Sequence, residues 1–331
     1  MLFKDDTTAR AQHNLVRNNV AWFRFTHDLV QVTGKDAPSF LDYIYVNSIA
    51  KTPVRMSKYT TMLNEEGGII DDVIVTHLDE GTWWISTLYA PRLIPWIDAH
   101  KGDYDITCEE LTKEIDMYAI QGPNSLKFMN RLLNTPIDDL GRFQIAENKI
   151  DDIPVRVLRS GFTGELGYEI YSAAADSKAV ASKLASLNNE FATHELDVLE
   201  VYVRSLPMEK GLALRQDMYG LSPYEAGLGW SVDLSKNFVG RDATERIKEE
   251  GLVRKLVGLE FEAESYEDIN QGEIIYHRGV PVGFVTAAIY GYTVDKNIGF
   301  GVVAARKAAA GTRVTVGPND SPALIVEKIW V

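Results

Sequence analysis

Cysteine occurs once in 331 residues, at Cys108, so no disulfide can form within the chain. That lone thiol and six scattered histidines also argue against a dedicated zinc site, which needs clustered ligands at short spacings. Basic runs are missing too. With 34 Lys and Arg against 47 Asp and Glu, the formal net charge is −13. Nothing has the basic footprint of a nucleic-acid or anionic-membrane binder. No apolar run approaches membrane-spanning length, and the opening MLFKDDTTAR lacks the apolar core of a signal peptide. A cytoplasmic location is expected. There is no repeat of solenoid period and no low-complexity segment. What is present is ordinary globular composition, 45% hydrophobic and 24% charged, at a length that fits two or three domains. Composition does not choose between an enzyme and a binding protein.

The order of elements narrows the fold. Residues 8–20 have helical spacing, and residues 22–33 alternate as a strand does. A turn at Gly34 leads to a helix over 37–45 with Asp36 as its expected N-cap. Strand, turn and helix then recur: a strand in 82–88 with a helix in 91–100, and strands in 103–110 and 114–121 with a helix to 133. Strands in 153–159 and 168–171 precede a helix in 176–194. Residues 196–212 read as a helix that Pro207 must kink or end. Residues 216–229 are loop-like, and a helix within 238–250 stops at Gly251. Beyond it come six short strands separated by turns. The expected class is α+β: two related α+β regions, 1–110 and 111–250, followed by an all-β barrel or sandwich over 252–331.

Two stretches can carry chemistry. In residues 64–76, NEEGGIIDDVIVT, a turn precedes a β-branched run with adjacent Asp71 and Asp72 in its middle. Strand side chains alternate, so the two carboxylates must point to opposite faces. Asp71 shares a face with Ile69, Val73 and Val75; Asp72 shares one with Ile70, Ile74 and Thr76. Both faces are apolar, so at least one acid sits in a poorly solvated place, which costs free energy unless it is paired or functional. The plainer alternative is a turn in which both acids meet solvent or cap backbone groups. The second stretch is 160–171, SGFTGELGYEIY. Its glycines let the backbone approach a flat ligand, and a carboxylate after it, Glu169, can accept paired N–H donors from an amidine-like heterocycle such as a pterin. Phe162 can stack on such a ring. The plainer alternative here is a glycine-rich hairpin with an exposed Glu.

Taken in order, HNLVRNNVAWFRFTH, VTGKDA, YTTMLNEEGGIIDDVIV, AIQGPNS, SGFTGELGYEIY, MEKGLAL, SPYEAGLGWSVDL and RKLVGLEF carry a resemblance across nearly the whole chain. The chain resembles the folate-dependent aminomethyltransferases, typified by the T-protein of the glycine cleavage system, with tetrahydrofolate-dependent demethylases as relatives. The resemblance implies a central tetrahydrofolate site. It implies that Asp72 is the catalytic carboxylate and that Tyr59 lines the folate site. It implies that Glu169 binds the pterin, with Phe162 at a position that is often tyrosine. Glu209 matches a family glutamate, and the family arginine six residues earlier falls on Val203, one residue from Arg204. Arg204 and Arg215 are the candidates for the folate glutamate tail.

Three departures bear on the substrate. The family segment ahead of residues 12–20 is not matched, the "VVNAAN" strand end reads ISTLYA at 85–90, and the LRQDMYGLSPYEAGL loop is two residues short. His27, Thr87, Tyr89, Tyr219 and Tyr224 are therefore the candidates for the substrate side. The expectation is a one-carbon transferase, a demethylase moving a methyl group from a small O-, S- or N-methyl donor to N5 of tetrahydrofolate. The alternative is the T-protein reaction, with a lipoyl carrier protein as partner. A non-catalytic folate-binding regulatory protein is the alternative of another class. Neither nucleic acid, membrane nor metal is expected.

Overall fold

The alternating stretch 22–33 forms two strands in different sheets, and this break organises the molecule. The computed structural model describes residues 2–25, 27–262 and 269–331. Strand β1 (Ala21–Arg24) and strand β2 (Asp28–Thr33) follow helix α1 (Thr7–Asn18). Next come α2 (Ala37–Ile44), β3 (Met56–Leu63), β4 (Ile69–Asp79), β5 (Thr82–Thr87), α3 (Ala90–His100) and β6 (Thr107–Glu110). Then follow β7 (Ile115–Gln121), α4 (Ser125–Leu132), β8 (Ile145–Ile150), β9 (Ile153–Leu158), β10 (Gly167–Ala173) and α5 (Ser177–Ser186). One sheet has the order β3-β4-β5-β2-β6 and the other β1-β7-β10-β9-β8, so the first strand joins the sheet built otherwise from residues 115–173. All their ladders are antiparallel.

Period-2 alternation assigns each strand residue to a layer. Val30, Val32, Val73, Val75, Trp83 and Ile85 pack outward under α2 and α3. Tyr118, Ile120, Val157, Tyr168 and Ile170 pack outward under α4 and α5. The opposite faces, with Leu29, Trp84, Phe23, Met117, Ala119 and Tyr171, share one central core. The two sheets therefore face each other, each backed by its own helices. This matches the expected pair of related α+β halves.

The six C-terminal strands close into a barrel of order β11-β14-β13-β12-β15-β16. They are β11 (Arg254–Phe261), β12 (Ile274–His277), β13 (Val280–Gly291), β14 (Lys296–Ala304), β15 (Arg313–Val316) and β16 (Ser321–Val326). The helix before the barrel, Arg241–Glu250, ends at Gly251 with φ 90°, a backbone conformation that glycine adopts without strain. The barrel is fastened through Glu209, whose side chain is fully buried. Its carboxylate accepts from Arg17 (3.0 Å) and the Thr293 N–H (2.8 Å) and lies 3.2 Å from His13 Nε2. Burial alone would raise this carboxyl, but the bonds from His13 and Thr293 outweigh it and hold it at about 2. Its stabilising contribution is thus present above the ordinary carboxylate range and lost as pH falls through about 2.

Two local expectations need correction. Asp36 does not cap α2 with its side chain; its carboxylate accepts from the Asp105 N–H at 2.9 Å instead. Pro38 occupies the second helical position and has no N–H to offer the cap. Residues 196–212 are not one kinked helix. A π-helical turn, Val201–Ser205, runs into a short α-helix, Leu206–Glu209, and Pro207 sits in that helix's first turn, where a proline is tolerated.

Candidate active site

Asp72 and Glu169 project into the space between the sheets from opposite walls. Asp71 lies on the outer face of β4 and is buried, whereas Asp72 lies on the inner face and is half-buried. Asp71 accepts from the Thr87 hydroxyl (2.7 Å) and from the Asp72 N–H (3.0 Å). Thr87 in turn accepts from the Tyr89 N–H at 3.0 Å. Thr87 is buried and committed to holding Asp71, so it stands behind the wall and not on it. Asp72 accepts from the Tyr59 hydroxyl at 3.2 Å. Burial pushes the Asp72 carboxyl up to about 7, the neighbouring Asp71 adds to the rise, and the Tyr59 bond and Arg215 oppose it. Burial pushes Asp71 up to about 6, opposed by Thr87, the Asp72 N–H and Arg215. A carboxyl near 7 can hold or release a proton at working pH.

On the facing wall Glu169 is buried on β10. Tyr171, two residues on and on the same face, donates to Glu169 Oε2 at 2.9 Å. Oε1 has no bond among the described residues. Burial lifts this carboxyl to about 7, with the Tyr171 bond opposing. Tyr171 faces Ser86 of β5 on the opposite wall, and its ring lies 5.7 Å from Trp84 and 6.0 Å from His27. His27 sits where the chain crosses between sheets, and burial pulls its imidazole down to about 4, so it is neutral at pH 7. Tyr202 packs on Phe23 and Phe25 with centroids 3.8 and 5.0 Å away, and it lies near the Phe162 backbone. Phe162 is half-buried against the central core.

The glycine loop has a different logic from the one its spacing implies. A side chain at Gly161 or at Gly167 would collide with the Gln121 carboxamide. Gln121 is fully buried, accepts from Thr163 Oγ1 (2.8 Å) and donates to the Ser160 carbonyl (3.2 Å). These two glycines make room for a protein side chain, which shapes the loop from within. Gly161→Ala is expected to cost about 1–3 kcal/mol by overpacking, read as a lower urea midpoint. Combining it with Gln121→Ala should cost less than the sum of the two singles. Strict additivity would mean that this contact does not constrain the loop.

The remaining candidates separate. Arg215 donates from Nε to the Ile70 carbonyl (2.5 Å), and its guanidinium lies over the rings of Tyr89 (4.3 Å) and Tyr219 (4.7 Å). Arg215, Tyr89 and Tyr219 thus gather beside the aspartates. Arg204 does not join them. It donates to Asp217 Oδ2 at 2.7 Å in a pair whose side chains are 14% and 0% exposed. An anionic tail could reach it only by breaking that pair. Tyr224 is also elsewhere, its ring against Gly229 and beneath the Lys248 ammonium, 6.0 Å from the ring centroid. Tyr171, Tyr202 and Trp84 also gather around Glu169. Alternation from Glu169 does reach Tyr171, but nothing local indicates that Trp84 and Ser86 face it from another sheet. Trp230, 70% exposed, stacks on Tyr59 at 5.8 Å and carries no periodic signal.

Comparison with known proteins agrees with this architecture. Residues 3–236 match the family model described as the GCVT N-terminal domain, and residues 254–331 match the glycine cleavage T-protein C-terminal barrel domain. A protein of Shouchella clausii named Aminomethyltransferase is 31% identical over 93% of this chain and 84% of its own length. One of Alkaliphilus oremlandii with the same name is 30% identical over 92% of this chain and 84% of its own length. The crystal structure of glycine cleavage system aminomethyltransferase T from Bartonella henselae superposes with a TM-score of 0.85 at 26% identity. That match covers 96% of this chain and 88% of the other.

Proposed function

This chain belongs to the glycine cleavage T-protein family, and from that premise we propose that it catalyses tetrahydrofolate-dependent aminomethyl transfer from a sulfur-bound, lipoyl-type carrier. It is a transferase; the donor is the part that is proposed. The demethylase expectation is the less supported of the two. The similar proteins share the aminomethyltransferase name. The altered segment at 85–90, which motivates a demethylase, has a structural use: Thr87 holds Asp71. Its departure from the family pattern therefore says little about the donor.

The observation that carries the reading is the buried Glu169 carboxylate, one oxygen of which is unbonded among the described residues, framed by Tyr171, Trp84 and Tyr202 across from Asp72. A carboxylate in that setting fits the paired N–H edge of a pterin, because two charge-assisted bonds offset its desolvation. Tetrahydrofolate, when bound, supplies the nucleophilic nitrogen that receives the one-carbon unit. Glu169 orients the ring edge, and Phe162 and Tyr59 flank it. Asp72 holds or accepts a proton at one oxygen while Tyr59 fixes the other. His27, neutral and beside Tyr171, adds a polar contact without charge. Positioning of this kind contributes through proximity and proton handling together.

The test is a donor screen with tetrahydrofolate. An aminomethylated lipoyl carrier should give 5,10-methylene-tetrahydrofolate and ammonia. Formation of 5-methyl-tetrahydrofolate from a methylated small molecule, with no turnover of the carrier, would replace this reading with the demethylase one.

A further inference from the structure

Two adjacent carboxylates, both pushed up by burial, need a nearby positive charge if either is to ionise at neutral pH. We infer that Arg215 is the positioning residue that provides it, held over the rings of Tyr89 and Tyr219 and tethered to the Ile70 carbonyl beside the Asp71–Asp72 pair. The inference rests on the reading of Asp72 as the proton-handling group.

Three observations carry it. First, the attachment is built across 145 residues of sequence: Arg215 Nε donates to the Ile70 carbonyl, one residue before Asp71. The same loop zips onto the start of β4 through Gly220 N–H to the Ile69 carbonyl (2.8 Å) and Ile69 N–H to the Leu221 carbonyl (2.7 Å). Second, two rings restrict the guanidinium, with centroids 4.3 and 4.7 Å away. Cation–π contacts hold the guanidinium in place and leave its charge available. Third, that charge is not spent privately. Among the described residues no carboxylate forms an ion pair with Arg215, whereas Arg204 one loop away is sealed to Asp217. The groups that face the pair are Asp28, Tyr45, Tyr59, Thr87, Asp217 and Arg215. Of these Arg215 is the cation that opposes the rise, while Asp28 and Asp217 add to it, Asp217 from within its ion pair with Arg204.

Tyr89 lies in the segment that departs from the family pattern, and Arg215 and Tyr219 in the shortened loop. The clamp therefore belongs to the parts of this sequence that look rewritten. Their use is to tune the aspartates, with Tyr219 forming the exposed outer jaw.

The experiment follows carboxyl titration by 13C NMR of aspartate-labelled protein, with Asp71→Asn and Asp72→Asn for assignment, alongside the pH profile of kcat/KM. Arg215→Met should raise the Asp71–Asp72 midpoints by about one pH unit and move the acidic limb of activity up with them. Arg215→Lys, which keeps the charge, should shift both less. Should Arg215→Met fail to fold by circular dichroism, the Tyr89→Leu/Tyr219→Leu double variant frees the guanidinium and should raise the same midpoints. Midpoints coinciding with the wild type in the folded variant would overturn the inference. A shifted titration with an unmoved acidic limb would support the coupling and instead overturn the role of Asp72.

Discussion

Asp72→Asn is expected to reduce turnover by about 10²- to 10⁴-fold, the usual worth of a positioned acid–base group, while folding and tetrahydrofolate binding persist. The isostere keeps an acceptor for the Tyr59 hydroxyl, now 3.2 Å from Asp72 Oδ2, but cannot take up a proton. Asp71→Asn makes the contrast. Asp71 is buried between Thr87 and the backbone of Asp72 on the other face of the strand, so its loss should act through stability and geometry. The stability of Asp72→Asn supplies an independent check. The Asp72 carboxyl sits near 7 in the folded protein, above its ordinary 3.8, so the folded state binds more protons between those values. Stability from this group therefore declines as pH rises from about 4 through about 7. The variant escapes that loss, and its Tm should equal or exceed the wild type at pH 8, with the difference closing toward pH 5. A fully active Asp72→Asn enzyme would remove the carboxylate from the mechanism.

Glu169→Ala should raise the tetrahydrofolate Kd by about 100-fold, the equivalent of roughly 2.7 kcal/mol. The lost contacts are two bonds to a charged acceptor in a dry setting, each ordinarily worth about 1.5–3 kcal/mol. Glu169→Gln keeps one acceptor and one geometry and should fall between. The pH dependence has a defined sign. Burial lifts the Glu169 carboxyl to about 7, so below that value folate must displace a proton before both oxygens accept. Wild-type affinity should therefore strengthen from pH 6 to pH 8, and that slope should vanish in Glu169→Gln. Calorimetric titration reads both. Unchanged binding in Glu169→Ala would place the pterin elsewhere.

Some of this site is legible without coordinates because strands impose a short-range rule. Alternation along 69–76 places Asp71 and Asp72 on opposite faces, and the same rule along 167–171 sets Glu169 and Tyr171 on one face. The stop at Gly251 and the six short strands beyond it follow from turn chemistry and strand length, again local properties. The resemblance then distinguishes the two aspartates by spacing from Tyr59. None of these steps needs to know what lies opposite.

What lies opposite is decided by contacts between residues far apart in sequence. Alternation runs unbroken through 22–33 even though the chain changes sheets there, because neither half of the pattern records its partner strand. The loop glycines read as space for a ligand, yet Gly161 and Gly167 accommodate Gln121, a residue 40 or more positions earlier. Long polar side chains are the hardest to place, since several rotatable bonds let the nearest suitable partner capture them. Arg204 and Arg215 are alike in sequence as folate-tail candidates. Packing seals the first against Asp217 and sets the second over two tyrosine rings beside the aspartates. The sequence alone thus determined which faces its strands present and which acids share them. Tertiary structure decided which charges meet, because a charge is paired by distance through space, and period and spacing along the chain carry no measure of that distance.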